Sequence, residues 1–145
     1  MRKLILSAIV TLISVLSINA QSLLRGPYLQ ALTQTSVKIM WRTSEPTTGW
    51  VKFGTSPDNL QTVVSETGSA TNHIVDITGL NPYQQYYYEI GFDNVSLAGA
   101  SDKHFFKTAK ITGDTTGFSA WAIGDFGKGN IELRDTRNAF ENYTS

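Results

Sequence analysis

The chain has no cysteine among its 145 residues, which excludes a disulfide-stapled scaffold and any cysteine-based zinc finger. Only two histidines occur, His73 and His104, too few for a histidine-rich metal site. Neither charge sign is in excess, with 12 Lys+Arg against 12 Asp+Glu. A dedicated nucleic-acid binder carries a basic surplus, so the balance argues against nucleic acid as a partner. Charged residues make up only 17% while aromatics reach 11%, the opposite of a disordered composition. No apolar run attains the ~20 residues that span a bilayer. The length suits one domain, or one small domain and part of another.

The first twenty residues read as an export signal. Arg2 and Lys3 precede an apolar stretch from Leu4 to Leu16, interrupted only by Ser7, Thr11 and Ser14. Ser17-Ile18-Asn19-Ala20 follows, and cleavage is expected after Ala20. The apolar core is about 13 residues, too short for a membrane anchor. The expected mature protein is therefore secreted or periplasmic, with no membrane attachment after cleavage. Without Arg2 and Lys3 it has 10 basic and 12 acidic residues, a net charge of −2. Lacking disulfides, it must be held by its core or by metal.

Residues 22–108 show short alternating runs split by turn residues, with no helical period. Thr35–Thr43 places Val37, Ile39 and Trp41 on one face and Ser36, Lys38, Met40 and Arg42 on the other. Thr48–Gly54 sets Val51 and Phe53 against Trp50 and Lys52. Gln61–Glu66 is a weaker strand around Val63 and Val64. Ala70–Thr78 alternates His73, Val75 and Ile77 with Ile74, Asp76 and Thr78. Gln85–Phe92 alternates Tyr86, Tyr88 and Ile90 with Tyr87, Glu89 and Gly91. Lys103–Thr108 carries Phe105 and Phe106, and an opening strand near Tyr28–Leu32 makes seven. Turns are expected at Ser44-Glu45-Pro46, around Pro57-Asp58-Asn59, at Gly79 to Pro82, and from Gly99 to Asp102. Seven strands at this spacing predict a mainly β, Greek-key sandwich.

Leu80-Asn81-Pro82-Tyr83-Gln84-Gln85-Tyr86 has the Leu-x-Pro-x-x-x-Tyr form of a tyrosine corner, with Leu80, Pro82 and Tyr86 in the structural positions. Trp41 lies mid-strand among aliphatics. These features resemble the fibronectin type III domain. Tyr83, Tyr86, Tyr87 and Tyr88 offer an aromatic sugar platform, but alternation along a strand favours core filling and cross-strand pairing. His73 and His104 sit on separate strands with no evident carboxylate partner and read as structural or surface histidines.

The last part of the chain differs. Residues 109–116 read as a polar linker. Gly117-Phe118-Ser119-Ala120-Trp121-Ala122-Ile123 is a near-continuous apolar run, as in a strand buried on both faces of an α/β sheet. A glycine-rich turn, Gly124-Asp125-Phe126-Gly127-Lys128-Gly129-Asn130, comes next. Ile131 to Tyr143 then reads as a helix, with Asn130 as cap and Leu133, Thr136, Phe140 and Tyr143 as its stripe. Strand, turn and helix open a βαβ unit. One such strand and helix cannot cover their own apolar surface, so a second domain truncated after residue 145 is expected. Asp125 sits at the carboxyl end of the strand, where open α/β folds bind ligands, between two glycines that permit close approach. Its carboxylate can serve as a hard oxygen ligand for a metal cation, but spacing alone favours an Asp that caps the turn.

Beyond residue 20 the chain resembles the N-terminal part of a purple acid phosphatase of the calcineurin-like metallophosphoesterase superfamily. The resemblance rests on Arg25-Gly26-Pro27-Tyr28-Leu29-Gln30, Val37-Lys38-Ile39-Met40-Trp41, Val51-Lys52-Phe53-Gly54, His73 through Leu80, Pro82 through Gly91, and Phe106-Lys107-Thr108. Phe118 to Gly127 then opens the next domain, where Gly124-Asp125-Phe126-Gly127 fits the family's first metal motif, Gly-Asp-x-Gly. The resemblance implies a fibronectin-like domain at 22–108, a linker at 109–116 and the start of a catalytic domain at 117–145. It implies hydrolysis of phosphate monoesters at a dinuclear centre, Fe(III) with Fe, Zn or Mn, and makes Asp125 the first ligand. The later family motifs, Gly-Asp-x-x-Tyr, Gly-Asn-His-Glu/Asp, Val-x-x-His and Gly-His-x-His, do not follow Asp125 here. No stable metal binding and no activity are expected of these 145 residues alone.

Asp-Phe-Gly also occurs in protein kinases, but none of their other motifs precedes it, and Gly127-Lys128 lacks the spacing of a phosphate loop. Asn94-Val95-Ser96 and Asn142-Tyr143-Thr144 are glycosylation sequons. The alternative function is an exported fibronectin-like binding module without catalysis. The natural substrate and the oligomeric state have no signature in the sequence.

Overall fold

The computed structural model describes residues 21–117 and 131–144. The chain divides into two compact units, residues 1–113 and 114–145. The first unit holds eight strands: β1 (Leu23–Gln30), β2 (Ser36–Thr47), β3 (Gly49–Gly54), β4 (Thr62–Ser65), β5 (Ala70–Thr78), β6 (Gln85–Phe92), β7 (Val95–Gly99) and β8 (Phe105–Lys107). One sheet runs β1-β2-β5 and the other β4-β3-β6, with β7 and β8 sharing the far edge of β6. All pairings are antiparallel. The chain crosses between sheets after β2, after β4 and after β5, giving a sandwich rather than two meanders.

Alternation builds the core as the sequence predicts. Val37, Ile39 and Trp41 from β2 meet Val75 and Ile77 from β5 on one side. Val51 and Phe53 from β3 with Tyr86, Tyr88 and Ile90 from β6 form the other. Leu80 and Phe106 complete the cluster. Each such side chain contributes about 1.5–3 kcal/mol on full burial.

Two sequence expectations need correction. First, Ser44-Glu45-Pro46 is not a turn, because β2 runs on to Thr47. Its ladder breaks between Arg42 and Thr47, and Pro46 sits within that irregular stretch, where no ladder donor is required. Pro27 is accommodated in the same way, at a register shift of β1. Second, the described residues of the sandwich form eight strands rather than seven. The unpredicted β7 follows a two-residue loop, Asp93-Asn94, in which Asp93 takes a positive φ of 44°. Trp50, on the face opposite Val51 and Phe53 as its alternation predicts, is buried there. Its ring lies against Gly91, and its Nε1–H donates to the Asp93 carbonyl at 2.9 Å.

The expected linker is partly fastened to the sandwich. Ala109 donates to the Thr33 carbonyl at 2.9 Å and accepts from the Tyr83 N–H at 3.1 Å. In the second unit the helix α1 spans Ile131–Thr144, one residue beyond the predicted end. Thr136, read as part of the apolar stripe, is exposed. The side chains of Leu133, Phe140 and Tyr143 lie outside the described set, as do the export segment 1–20 and residues 118–130. Of the expected strand, turn and helix, α1 is the part that falls on described residues. No described helix is long and apolar enough to cross a membrane.

Candidate functional site

Alternation along β5 sends His73 inward, where its side chain is fully buried and stacked on Trp41, ring centroids 4.7 Å apart. Two polar partners make this burial tolerable. Nδ1 lies 2.6 Å from Glu66 Oε2, and Nε2 lies 2.8 Å from Thr43 Oγ1. Thr43 in turn donates to the Glu45 carbonyl at 2.9 Å. Glu66 also accepts from the Gly49 N–H at 2.9 Å and, through Oε1, from the Ile74 N–H at 3.0 Å. Glu66 follows β4 of one sheet while His73 and Thr43 belong to the other, so the cluster ties the sheets together. The expectation that His73 lacks a carboxylate partner is thus overturned. Glu66 is seven residues away and reaches His73 only because the chain changes sheets between β4 and β5.

The tyrosine corner occupies another junction. Asn81 N–H donates to the buried Tyr86 hydroxyl at 2.9 Å. Leu80 is buried beside it, while Pro82 is exposed. Thr108, also buried, accepts from the Gln84 N–H at 2.9 Å and donates to the Asn81 carbonyl at 2.6 Å. The corner is therefore locked to the last residues of the domain. Tyr86→Phe is expected to remove about 1 kcal/mol, the usual net value of one hydrogen bond, and lower the melting temperature by roughly 4–8 °C. Calorimetry on the full chain checks this, and an unchanged transition would remove the hydroxyl from the account.

The remaining tyrosines divide. Tyr88 is buried, and burial raises its phenol above the ordinary range. Tyr87 is half-buried and lies across from Phe105 on β8. Tyr83 is exposed, with Lys107 Nζ 3.5 Å and Lys110 Nζ 4.7 Å from its ring centre. These residues do not form a single aromatic platform. His104 Nδ1 is 2.9 Å from Ser101 Oγ, and its ring meets Tyr88 edge-on.

On the outer face of the three-stranded sheet, Arg25, Arg42 and Asn72 lie directly opposite one another on β1, β2 and β5. With Tyr28 and Met40 they line a cavity of about 330 Å³. Nothing in the sequence marks this arrangement, since the register that assembles it includes two irregularities in β1.

Among the described residues, no group of three or more His, Cys, Asp or Glu is gathered to hold a metal ion. Both histidines are already engaged, His73 by Glu66 and Thr43, and His104 by Ser101. Asp125, the metal ligand expected from sequence, lies outside the described residues.

A three-stranded sheet packed on a second sheet, closed by a tyrosine corner and a core tryptophan, defines a β-sandwich of the fibronectin type III kind. Residues 27–108 match the family model described as "Purple acid Phosphatase, N-terminal domain", and the chain belongs to that family. Curated proteins give no match. Similar solved structures include the sensor domain of the anti-sigma factor RsgI4 in Pseudobacteroides cellulosolvens. In its short form that domain is 15% identical with a TM-score of 0.46, over 66% of this chain and 100% of that one. PhoD is 16% identical with a TM-score of 0.47, over 59% of this chain and only 19% of its own length. The third fibronectin III domain of human KIAA0343 protein is 13% identical with a TM-score of 0.39, over 63% of this chain and 85% of that one.

Proposed function

We propose that this chain is the N-terminal part of an exported metallophosphoesterase of the purple acid phosphatase type, with the sandwich as its accessory domain. The observation that carries the reading is the family match over residues 27–108. Gly124-Asp125-Phe126-Gly127 just ahead of α1 is the second support. Residues 1–20 would direct export, 109–116 would link the domains, and 117–145 would begin the catalytic domain. Asp125 would be the first ligand of a dinuclear centre of Fe(III) with Fe, Zn or Mn, and later residues would complete it. Such a centre neutralises phosphoryl oxygens and supplies a nucleophile near neutral pH. The substrate would be a phosphate ester. The 145 residues alone would be inactive, because one carboxylate does not hold two metals.

The test is to sequence the gene past the codon for Ser145. An open frame with the Asp, Tyr, Asn and His motifs in order would support the reading; a stop codon would favour a non-catalytic binding module. In the longer protein, Asp125→Asn is expected to lower metal content and cut phosphatase rate at least about 100-fold, more than the loss of a supporting outer-sphere contact. The sandwich should melt unchanged. Undiminished metal and rate would remove Asp125 from the ligand set. N-terminal sequencing of the exported protein should begin at Gln21.

A further inference from the structure

We propose that the cavity formed by Arg25, Arg42 and Asn72 is a binding site for a dianionic phosphate group. Arg25 and Arg42 are direct cross-strand partners. Two like charges in that position repel and destabilise the pair unless an anion lies between them. Among the described residues the ion pairs are Lys38 with Asp76 and His73 with Glu66, and neither arginine takes part in one. Lys38–Asp76 spans the same two strands as Arg42–Asn72, so a carboxylate is available to the sheet at one level and withheld at the other. Asn72, opposite Arg42, puts a neutral amide donor where an acidic residue would cancel the charge.

Arg25 is also held in place. Register shifts flank Arg25 on both sides, the kind of irregularity that re-aims a side chain. Its guanidinium lies over the Tyr28 ring, 4.3 Å from the centroid, which limits its rotamers before a ligand arrives. Guanidinium forks match the oxygens of phosphate in paired hydrogen bonds, and two forks match a double charge. The cavity, about 330 Å³, lies at the lower end of small-ligand sites. Met40 and Leu24 give it an apolar rim suited to the organic part of a monoester. The ligand class is therefore phosphate, free or as a small ester.

The test is a titration of the full chain followed by amide chemical shifts at constant ionic strength. The probes are inorganic phosphate, phenyl phosphate and acetate. Inorganic phosphate should give saturable shifts at Arg25, Arg42 and Asn72, and acetate should bind at least about tenfold more weakly. Tighter binding of phenyl phosphate would place the ester's organic group on the rim; equal binding would assign the site to free phosphate. Arg42→Gln should weaken phosphate about tenfold, the worth of one charge-assisted contact. It should fold at least as well as the parent without ligand, since repulsion is relieved, and should lose any phosphate-dependent rise in melting temperature. Should Arg42→Gln fail to fold, Arg25→Gln serves the same comparison. Unsaturable shifts, acetate binding equal to phosphate, or full phosphate affinity in a folded arginine variant would each overturn the proposal.

Discussion

Replacing Glu66 by alanine is expected to cost about 3 kcal/mol, the upper end for leaving a buried polar group without its hydrogen-bond partner. Three donors lose their acceptor together: His73 Nδ1, the Gly49 N–H and the Ile74 N–H. His73 is fully buried, so its Nδ1 would depend on water entering the space that the carboxylate leaves. A domain of this size is ordinarily stable by only about 5–15 kcal/mol, so the variant would lose a large share of it. Urea unfolding of the full chain should show a lower midpoint with an unchanged slope. Gly49 and Ile74 bond to different oxygens of the carboxylate, so Glu66→Gln keeps an acceptor for one of them and should lose less than Glu66→Ala. A Glu66→Ala midpoint within about 0.5 kcal/mol of the parent would mean the cluster does not hold the sheets. The site also restricts Gly49, because a Cβ there would crowd Trp41, His73 Nδ1 and Glu66 Oε2 at once.

Gly91→Ala is expected to cost about 3 kcal/mol, the upper end for inserting a methyl group into packed structure. The new Cβ would stand inside van der Waals contact of the Trp50 ring and of the Val95 carbonyl oxygen. A ring can swing aside, but a strand carbonyl cannot move without disturbing the β6–β7 pairing. Trp50 would leave the Asp93 carbonyl and become exposed, so its fluorescence should shift to the red. Combining Gly91→Ala with Trp50→Ala should cost less than the two losses added, because one of the two clashes is then absent. Strict additivity would show that Trp50 does not lean on Gly91.

Periodicity carried most of the core. Val37, Ile39, Trp41, Val75, Ile77, Tyr86, Tyr88 and Ile90 all alternate within single strands, and all are buried where that alternation places them. Exclusion of apolar groups from water acts on each strand separately, so it is written locally. Trp50 escaped this logic because its cover comes from Gly91 on the neighbouring strand rather than from the core. The extension of β2 through Pro46 escaped for a related reason. Proline argues against a strand only where a ladder N–H is needed, and the need depends on the partner's register. The strand β7 was hidden by its small residues, Ser96, Ala98 and Gly99, which carry little hydrophobic contrast.

What the sequence by itself determined was the alternation, the tyrosine corner and the family resemblance, each a matter of neighbours along the chain. The carboxylate on His73, the cradle for Trp50 and the row of Arg25, Arg42 and Asn72 were decided by tertiary structure. Each of these joins residues from different strands, and one crosses between the sheets. Their spacing in space is set by register and by sheet crossing, which no local pattern encodes. A one-residue slip would turn each strand over and undo all three.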